Sequence, residues 1–272
     1  MRLADFLPMN ESTLIVSMTT WPPRAYAAEQ AMWSIVSQQH DAPVHYVLAL
    51  SKDEWNYDGC HRKLPSPDTL LQKMKFMGVE VIWDDGNTKS HKKLMPALER
   101  YPDNAILVVD DDVMQHDGWL QTFINDHREH PTDIIYGVST SRVEIVKGSI
   151  VEGPRDIYVN PGRVTRNEKP ANGASGTLYP AHTFTDARFF NRALYMNLTP
   201  TSDETWQWAW AVMTGKTYRC LSKHNMPIHS NADQRVALWH TNRVRYNTYH
   251  NDIARLFPEY KEMLEKLITN QS

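Results

Sequence analysis

AILVVDDDVMQHDGWL, residues 105–120, is the stretch from which the fold of this chain can be read. Ala105 to Val109 is a short run of β-formers, the signature of a buried strand. Asp110, Asp111 and Asp112 end it. Adjacent carboxylates repel one another, and a fold accepts that cost where a cation or a donor-rich ligand offsets it. Gly118 to Glu129 then has the spacing of a helix. Strand, acidic triplet and helix make one unit of an alternating fold, with the polar residues at the strand's carboxyl end.

The same unit recurs upstream. LIVSMTTW (14–21) reads as a buried strand that Pro22 and Pro23 break, and 24–39 follows as a helix. VHYVLALS (44–51) and VEVIWDD (79–85) are further strands, with a helix over 69–77 opened by Asp68 between them. Lys92 to Tyr101 is a short helix, and DIIYGVST (133–140) is a fifth strand. This alternation predicts an α/β fold with a mostly parallel central sheet flanked by helices, and ligands in such sheets bind outside the carboxyl ends of the strands. Residues 141–177 have weak periodicity, TSDETWQWAWAVMTG (201–215) is a helix capped by Ser202 or Asp203, and the tail is an amphipathic helix interrupted at Pro258. With no internal repeat or low-complexity linker, the chain reads as a single domain over 1–272.

Composition narrows the function. A net charge of -3 gives no basic field of the kind nucleic-acid partners need. Two cysteines, Cys60 and Cys220, make no disulfide framework or paired metal site, which predicts a reduced, cytoplasmic protein. MRLADFLPMNESTL lacks the apolar core of a signal peptide, and no run of about 18 apolar residues offers a membrane span. Nine Trp and 12 Tyr are packing residues first, and stacking platforms for sugars or bases second. GxGxxG, Walker lysine, HExxH and GxSxG patterns are missing, which argues against dehydrogenases, P-loop kinases, zinc hydrolases and α/β-hydrolases.

Several polar groups gather at the predicted strand ends. A D-x-D placed after ILVV can aim Asp110 and Asp112 at Mg²⁺ or Mn²⁺ and at a ribose, although a solvated acidic turn has the same sequence. In TTWPPR (19–24), Thr19 and Thr20 offer hydrogen bonds and Arg24 can pair with a phosphate, or the prolines simply start a helix. Lys92 and Lys93 in HKKLMPAL can reach a diphosphate or lie in solvent, and Asp84 and Asp85 can hold a base or ribose or serve as turn residues. Asp203 and Glu204 suit a helix N-terminus, and one of them can also act as general base. Among His224, His229 and His240, His229 is the candidate to complete a metal shell, against the commoner structural role of a lone histidine.

Taken in order, SMTTWPPR, KKLMPAL, VVDDDV with DGWL, GASGTLYP and SDETW resemble bacterial glycosyltransferases of the GT-A fold, over roughly residues 13–215. More narrowly they resemble small capsule and lipopolysaccharide enzymes. A looser similarity is to the α-N-acetylglucosaminyltransferase of heparosan capsule synthesis, which shares a strand-then-PPR opening and a DDD motif. The resemblance implies a hexosyltransferase-type enzyme with a nucleotide-sugar donor, UDP-linked for preference, Mn²⁺ or Mg²⁺, and a glycan or lipid-linked glycan acceptor. It implies a nucleotide-binding half (13–140) and an acceptor-binding half with the C-terminal helix (141–272). Thr19, Thr20 and Arg24 would lie near the nucleotide; the residue reading adds Asp84, Lys92 and Asp111 to that set, with a support role pointing back into the protein as the alternative for Asp111. Asp110 would serve ribose and metal, and Asp112 would bind the metal directly; His229 is a further metal candidate from the residues alone. Gly176, Thr177, Tyr179 and Trp206 would line the donor-sugar and acceptor cleft. Asp203 or Glu204 would be the base of an inverting enzyme; Asp-Glu stands where many relatives have Asp-Asp, which leaves the acting carboxylate open. A peripheral contact with the inner membrane through the C-terminal helix is weighed against a packed surface helix. The rivals are a sugar-nucleotide nucleotidyltransferase, whose Gly-rich N-terminal loop TTWPPR does not match, and a non-catalytic glycan-binding protein.

Overall fold

Alternating strands and helices build the first half of the chain, seen in a computed structural model that describes residues 10–55, 67–137, 139–156, 160–165, 167–170, 175–223, 228–229 and 238–269. The order is β1 (Leu14–Thr19), a 3₁₀ turn (Pro22–Arg24), α1 (Ala25–Val36), β2 (Val44–Ser51), α2 (Lys52–Trp55), α3 (Pro67–Phe76) and β3 (Val79–Asp84). A 3₁₀ segment (Lys89–Lys93), α4 (Met95–Arg100), β4 (Ile106–Val109), β5 (Val113–Met114), α5 (Trp119–Glu129) and β6 (Ile134–Tyr136) follow. The second half runs β7 (Thr140–Val146), β8 (Ser149–Asp156), β9 (Val164–Thr165), β10 (Glu168–Pro170), β11 (Thr177–Tyr179), α6 (Arg192–Leu198) and α7 (Asp203–Met213). It ends with β12 (Tyr218–Cys220), β13 (Ile228–His229), α8 (Trp239–Asn242), α9 (Tyr246–Leu256) and α10 (Pro258–Thr269).

Eight strands form the main sheet in the order β3-β2-β1-β4-β11-β6-β12-β9. β3, β2, β1 and β4 are parallel, so their carboxyl ends share one edge. Alternate residues serve opposite faces. Ile15, Ile106 and Val108 pack with Trp206, Trp210 and Leu264 on one face, while Val16, Leu107 and Val109 pack with Met32, Met74 and Phe123 on the other. β7, β8 and β10 make a separate three-stranded sheet. Its edge strand β8 is covered by α9: Asn251 Oδ1 accepts from Ile150 N at 3.1 Å, and Asn247 Oδ1 accepts from Glu152 N at 2.8 Å. Those amides satisfy backbone groups that a bare edge would leave open.

Two predicted elements come out differently. The strand predicted over 133–140 stops at Tyr136, and antiparallel β11 separates it from β4. Gly137 is the reason: its N–H donates to Gly176 O at 3.0 Å, and a Cβ there would sit 1.9 Å from Ser175 Cβ. The chain crosses itself there and leaves for β7. The helix predicted over 92–101 is split at Leu94, with a 3₁₀ segment before it and α4 after it. Pro96, which cannot donate a backbone hydrogen bond, stands in the first turn of α4. Among the described residues no helix is long and apolar enough to cross a membrane. Cys220 is buried and free of any disulfide, and Cys60 lies outside the described residues.

Candidate functional site

Four separate segments deliver charged side chains to the carboxyl edge of β1 and β4. The triplet follows β4 directly. The prolines after β1 turn the chain through one 3₁₀ turn and bring Arg24 back over the triplet. Arg24 Nη1 lies 2.9 Å from Asp111 Oδ1 and 3.1 Å from Asp112 Oδ2. Thr20 Oγ1 donates to the second oxygen of Asp111 at 2.7 Å. Asp111 is thus turned into the protein. Lys93, at the end of the 3₁₀ segment, places Nζ 2.8 Å from Asp110 Oδ1 and 3.4 Å from Asp203 Oδ2 at the start of α7. Gln207 Nε2 also reaches Asp203 Oδ2 at 3.4 Å, and Tyr179 OH donates to Gln207 Oε1 at 2.7 Å.

The electrostatics follow from burial. Asp110, Asp111, Asp112 and Asp203 face two cations, Arg24 and Lys93. Burial pushes the Asp111 carboxyl up to about 6, against the pull of Arg24. Burial and Asp112 likewise raise Asp110, against Lys93. Burial works against the charge of Lys93, but Asp110, Asp203 and Glu204 outweigh it and hold the ammonium well above its ordinary range. Arg24 is raised in the same way by Asp111 and Asp112, with burial opposing. Four carboxyl groups against two cations give the cluster a formal surplus of negative charge and line it with hard oxygen donors.

That donor set fits a hard divalent cation. Among the described residues no three His, Cys, Asp or Glu side chains form a ready-made metal shell. Asp110 and Asp112 offer a carboxylate pair, and Mg²⁺-like ions commonly complete their shell with water and substrate phosphates. β13 pairs antiparallel with β5, which sets His229 opposite Val113, the residue after Asp112. The His229 side chain lies outside the described residues, as does His224; His240 is exposed on α8.

Other predicted site residues lie elsewhere. Thr19 Oγ1 donates to Ala49 O at 2.7 Å and ties β1 to β2. Lys92 is not on the triplet: it is buried against Glu54 and reaches Asn87 Oδ1 at 3.3 Å, and Lys93 takes the position expected of it. Asp84 accepts from Thr88 Oγ1 at 3.2 Å and lies 3.6 Å from Arg192, while Asp85 pairs with Lys52 at 2.8 Å in solvent. These form a second polar group at the ends of β2 and β3. Trp206 is no sugar platform here. It is fully buried, its Nε1 donates to Phe189 O at 3.1 Å, and its ring packs on Phe189, Tyr195, Trp210 and Phe257. Thr177 and Tyr179 are also fully buried, as β11 lies inside the sheet. Gly176 has φ +82° and backs onto Trp119.

Glu204 pairs with a different lysine from Asp203: it is 3.3 Å from Lys169 Nζ, which is also 3.2 Å from Glu152. Lys169, Glu152 and Gln207 carry no signal in the sequence. Only the placement of β8, β10 and α7 brings them together.

No protein-family model matches the sequence, and no curated protein matches it either. Solved structures do match in shape. The chain superposes on S. aureus TarS 1–349 in complex with UDP at TM-score 0.57 and 14% identity, covering 94% of this chain and 70% of that one. The TarS complex with UDP-GlcNAc gives 0.56 at 13% identity, covering 94% and 71%, and TarS alone gives 0.52 at 15%, covering 90% and 72%. At such identities the likeness is one of fold, and the mixed α/β sheet flanked by helices is of the GT-A-like kind.

Proposed function

We propose that this protein is a glycosyltransferase that moves a monosaccharide from a nucleoside diphosphate sugar to an acceptor hydroxyl. The observation that carries this reading is the cluster of Asp110, Asp112, Arg24 and Lys93 at the carboxyl edge of β1 and β4. It lies in a fold shared with a protein solved with UDP and with UDP-GlcNAc. Strand ends of this kind are where open α/β sheets take their ligands, and a UDP-sugar is the donor class this favours.

In this reading Asp110 and Asp112 hold Mn²⁺ or Mg²⁺, with His229 as a further candidate. An ion held there would supply positive charge toward the diphosphate of the donor. Arg24 and Lys93 add fixed cations to the same edge, a preorganised field that costs no reorganisation during the reaction. Asp203 or Glu204 accepts the proton of the acceptor hydroxyl in the inverting version. The acceptor oxygen attacks the anomeric carbon, the bond from that carbon to the diphosphate breaks, and its electron pair leaves with the diphosphate. Residues 13–140 serve the nucleotide and 141–272 the acceptor side, within one domain. The acceptor class we favour is a glycan, or lipid-linked glycan, of capsule or lipopolysaccharide synthesis, met at the cytoplasmic face of the inner membrane.

UDP binding by calorimetry, with and without Mn²⁺, tests the reading. Binding that strengthens with Mn²⁺ and loses that dependence in Asp112→Ala is the expected result. Metal-independent binding that Asp112→Ala leaves unchanged would remove the metal role, and no binding of UDP at all would remove the donor class.

A further inference from the structure

Behind Glu204 runs a chain of buried polar groups that the proposed chemistry has not used. Lys169 sits in the middle of β10, and its side chain is 1% exposed. Its ammonium lies between Glu152 Oε1 at 3.2 Å and Glu204 Oε2 at 3.3 Å, over the ring of Tyr246 at 4.5 Å. The other oxygen of Glu152, on β8, meets His250 Nε2 at 3.0 Å. His250 Nδ1, on α9, meets Tyr260 OH of α10 at 2.8 Å. Burial lowers the pKa of His250, which favours a neutral ring: Tyr260 then donates to Nδ1, and the Nε2 proton points at Glu152. Tyr260 and His250 donate toward Glu152 from one side, and Lys169 donates to Glu152 and to Glu204 from the other, so every link has a donor and an acceptor.

Glu152 alone would neutralise Lys169. A second carboxylate on one buried ammonium makes sense if the ammonium's task is to hold that carboxylate. Glu204 is also the one acidic member of the chain that reaches solvent: its side chain is 15% exposed against 2% for Glu152. Asp203, its neighbour, is 4% exposed and already tied to Lys93 and Gln207 in the wall behind Asp110.

Resting on the glycosyltransferase reading, we infer that Lys169 is a positioning residue that orients Glu204 as the base for the acceptor, with Glu152, His250 and Tyr260 holding Lys169 in turn. The proton of the acceptor hydroxyl passes to the Glu204 carboxylate while its oxygen bonds to the anomeric carbon and the diphosphate departs with the electron pair. Asp203 then has a different task, fixing Lys93 beside Asp110.

The test uses the full chain with Mn²⁺, UDP release from UDP-GlcNAc with water as acceptor, and UDP binding by calorimetry. Glu204→Gln is expected to slow release by about a hundredfold or more, the scale of a lost general base. Lys169→Met should slow it by about tenfold or more while UDP affinity stays within about twofold, the split of a group that acts on the chemical step. The deciding readout is the combined variant: Glu204→Gln with Lys169→Met should be no slower than Glu204→Gln alone, because Lys169 acts only through Glu204. If Lys169→Met does not fold, Glu152→Gln with Lys169→Gln removes both buried charges together and enters the same comparison. Effects that multiply, or a UDP affinity that falls in step with the rate, overturn the positioning role and leave the glycosyltransferase reading standing. A wild-type chain that neither binds UDP nor releases it from UDP-GlcNAc overturns both.

Discussion

Acid should unfold this protein partly through Glu152. Its carboxylate, 2% exposed, lies 3.2 Å from Lys169 and 3.0 Å from His250, with Glu204 on the far side of the ammonium. Burial opposes its charge, yet Lys169 and His250 outweigh burial and hold the carboxyl at about 2, below the ordinary 4.5. A depressed carboxyl pKa adds stability above the unfolded value and loses it as pH falls through the folded one. Carrying those two values through the linkage relation gives a loss of about 2 kcal/mol by pH 3 and about 3 kcal/mol by pH 2. Buried His250 adds a loss of the same sign that starts higher, below its ordinary 6.5, because burial lowers its pKa. Glu152→Gln keeps the shape and removes the first contribution, while the loss from His250 remains. Urea unfolding followed by the fluorescence of the nine Trp residues, at pH 5 and pH 3, isolates it. Glu152→Gln should be less stable than wild type at pH 5, but its further loss on going to pH 3 should be smaller by about 2 kcal/mol. An equal loss in both proteins would show that the Glu152–Lys169 pair does not carry this linkage.

Three further outcomes follow from the packing and the charge cluster. Lys93→Met strands Asp110 and Asp203 without their cation and should cost about 3–5 kcal/mol in urea unfolding; added Mn²⁺ should raise its melting temperature more than that of wild type. Trp206→Ala should cost about 3–5 kcal/mol through the cavity it leaves among Phe189, Trp210 and Phe257, with UDP affinity of the folded protein unchanged by calorimetry. Gly176→Ala should cost about 1–3 kcal/mol in the same unfolding assay, since φ is +82° and the new Cβ would lie 2.7 Å from Trp119 Cζ2.

The half of the fold built from parallel strands was legible because such strands are buried on both faces and read as apolar runs. VHYVLALS is a strand over the residues predicted, LIVSMTTW is one from Leu14 that ends two residues early at Thr19, and the break at Pro258 separates α9 from α10 as the sequence suggests. β11 was not legible as the strand that inserts beside β4. It has three residues, too few for a period, and its place depends on the crossing of Gly137 and Gly176. Trp206 was misread for a related reason. Trp206, Trp208 and Trp210 step around α7, and a helix buried on nearly all sides can hold large aromatics in every direction. Sequence alone shows an apolar face beside acidic residues and cannot tell a cleft wall from a core.

The site divides along the same line. The triplet, Arg24 and the Asp203-Glu204 pair could be found because each is a short local pattern at a strand or helix end. Of their partners, Lys169 could not, because it comes from a segment distant in sequence, and the KK pair was legible only as a pair: a shift of one position separates Lys93 on Asp110 from Lys92 on Glu54. Those partners change what the triplet means. A like-charged run calls for a cation or a donor-rich ligand to offset its repulsion, and Arg24 and Lys93 already face its carboxylates from within the chain. A divalent ion, in the proposed reading, would therefore be an addition to a partly neutralised cluster rather than a condition of folding. In the proposed reaction, an ion that meets such a cluster gains most when a diphosphate supplies the remaining ligands and the remaining negative charge. Metal and nucleotide should then strengthen each other's binding by the same factor, as linkage requires. On this view the internal cations keep the empty site stable enough to fold and leave enough negative charge to admit the metal with its nucleotide.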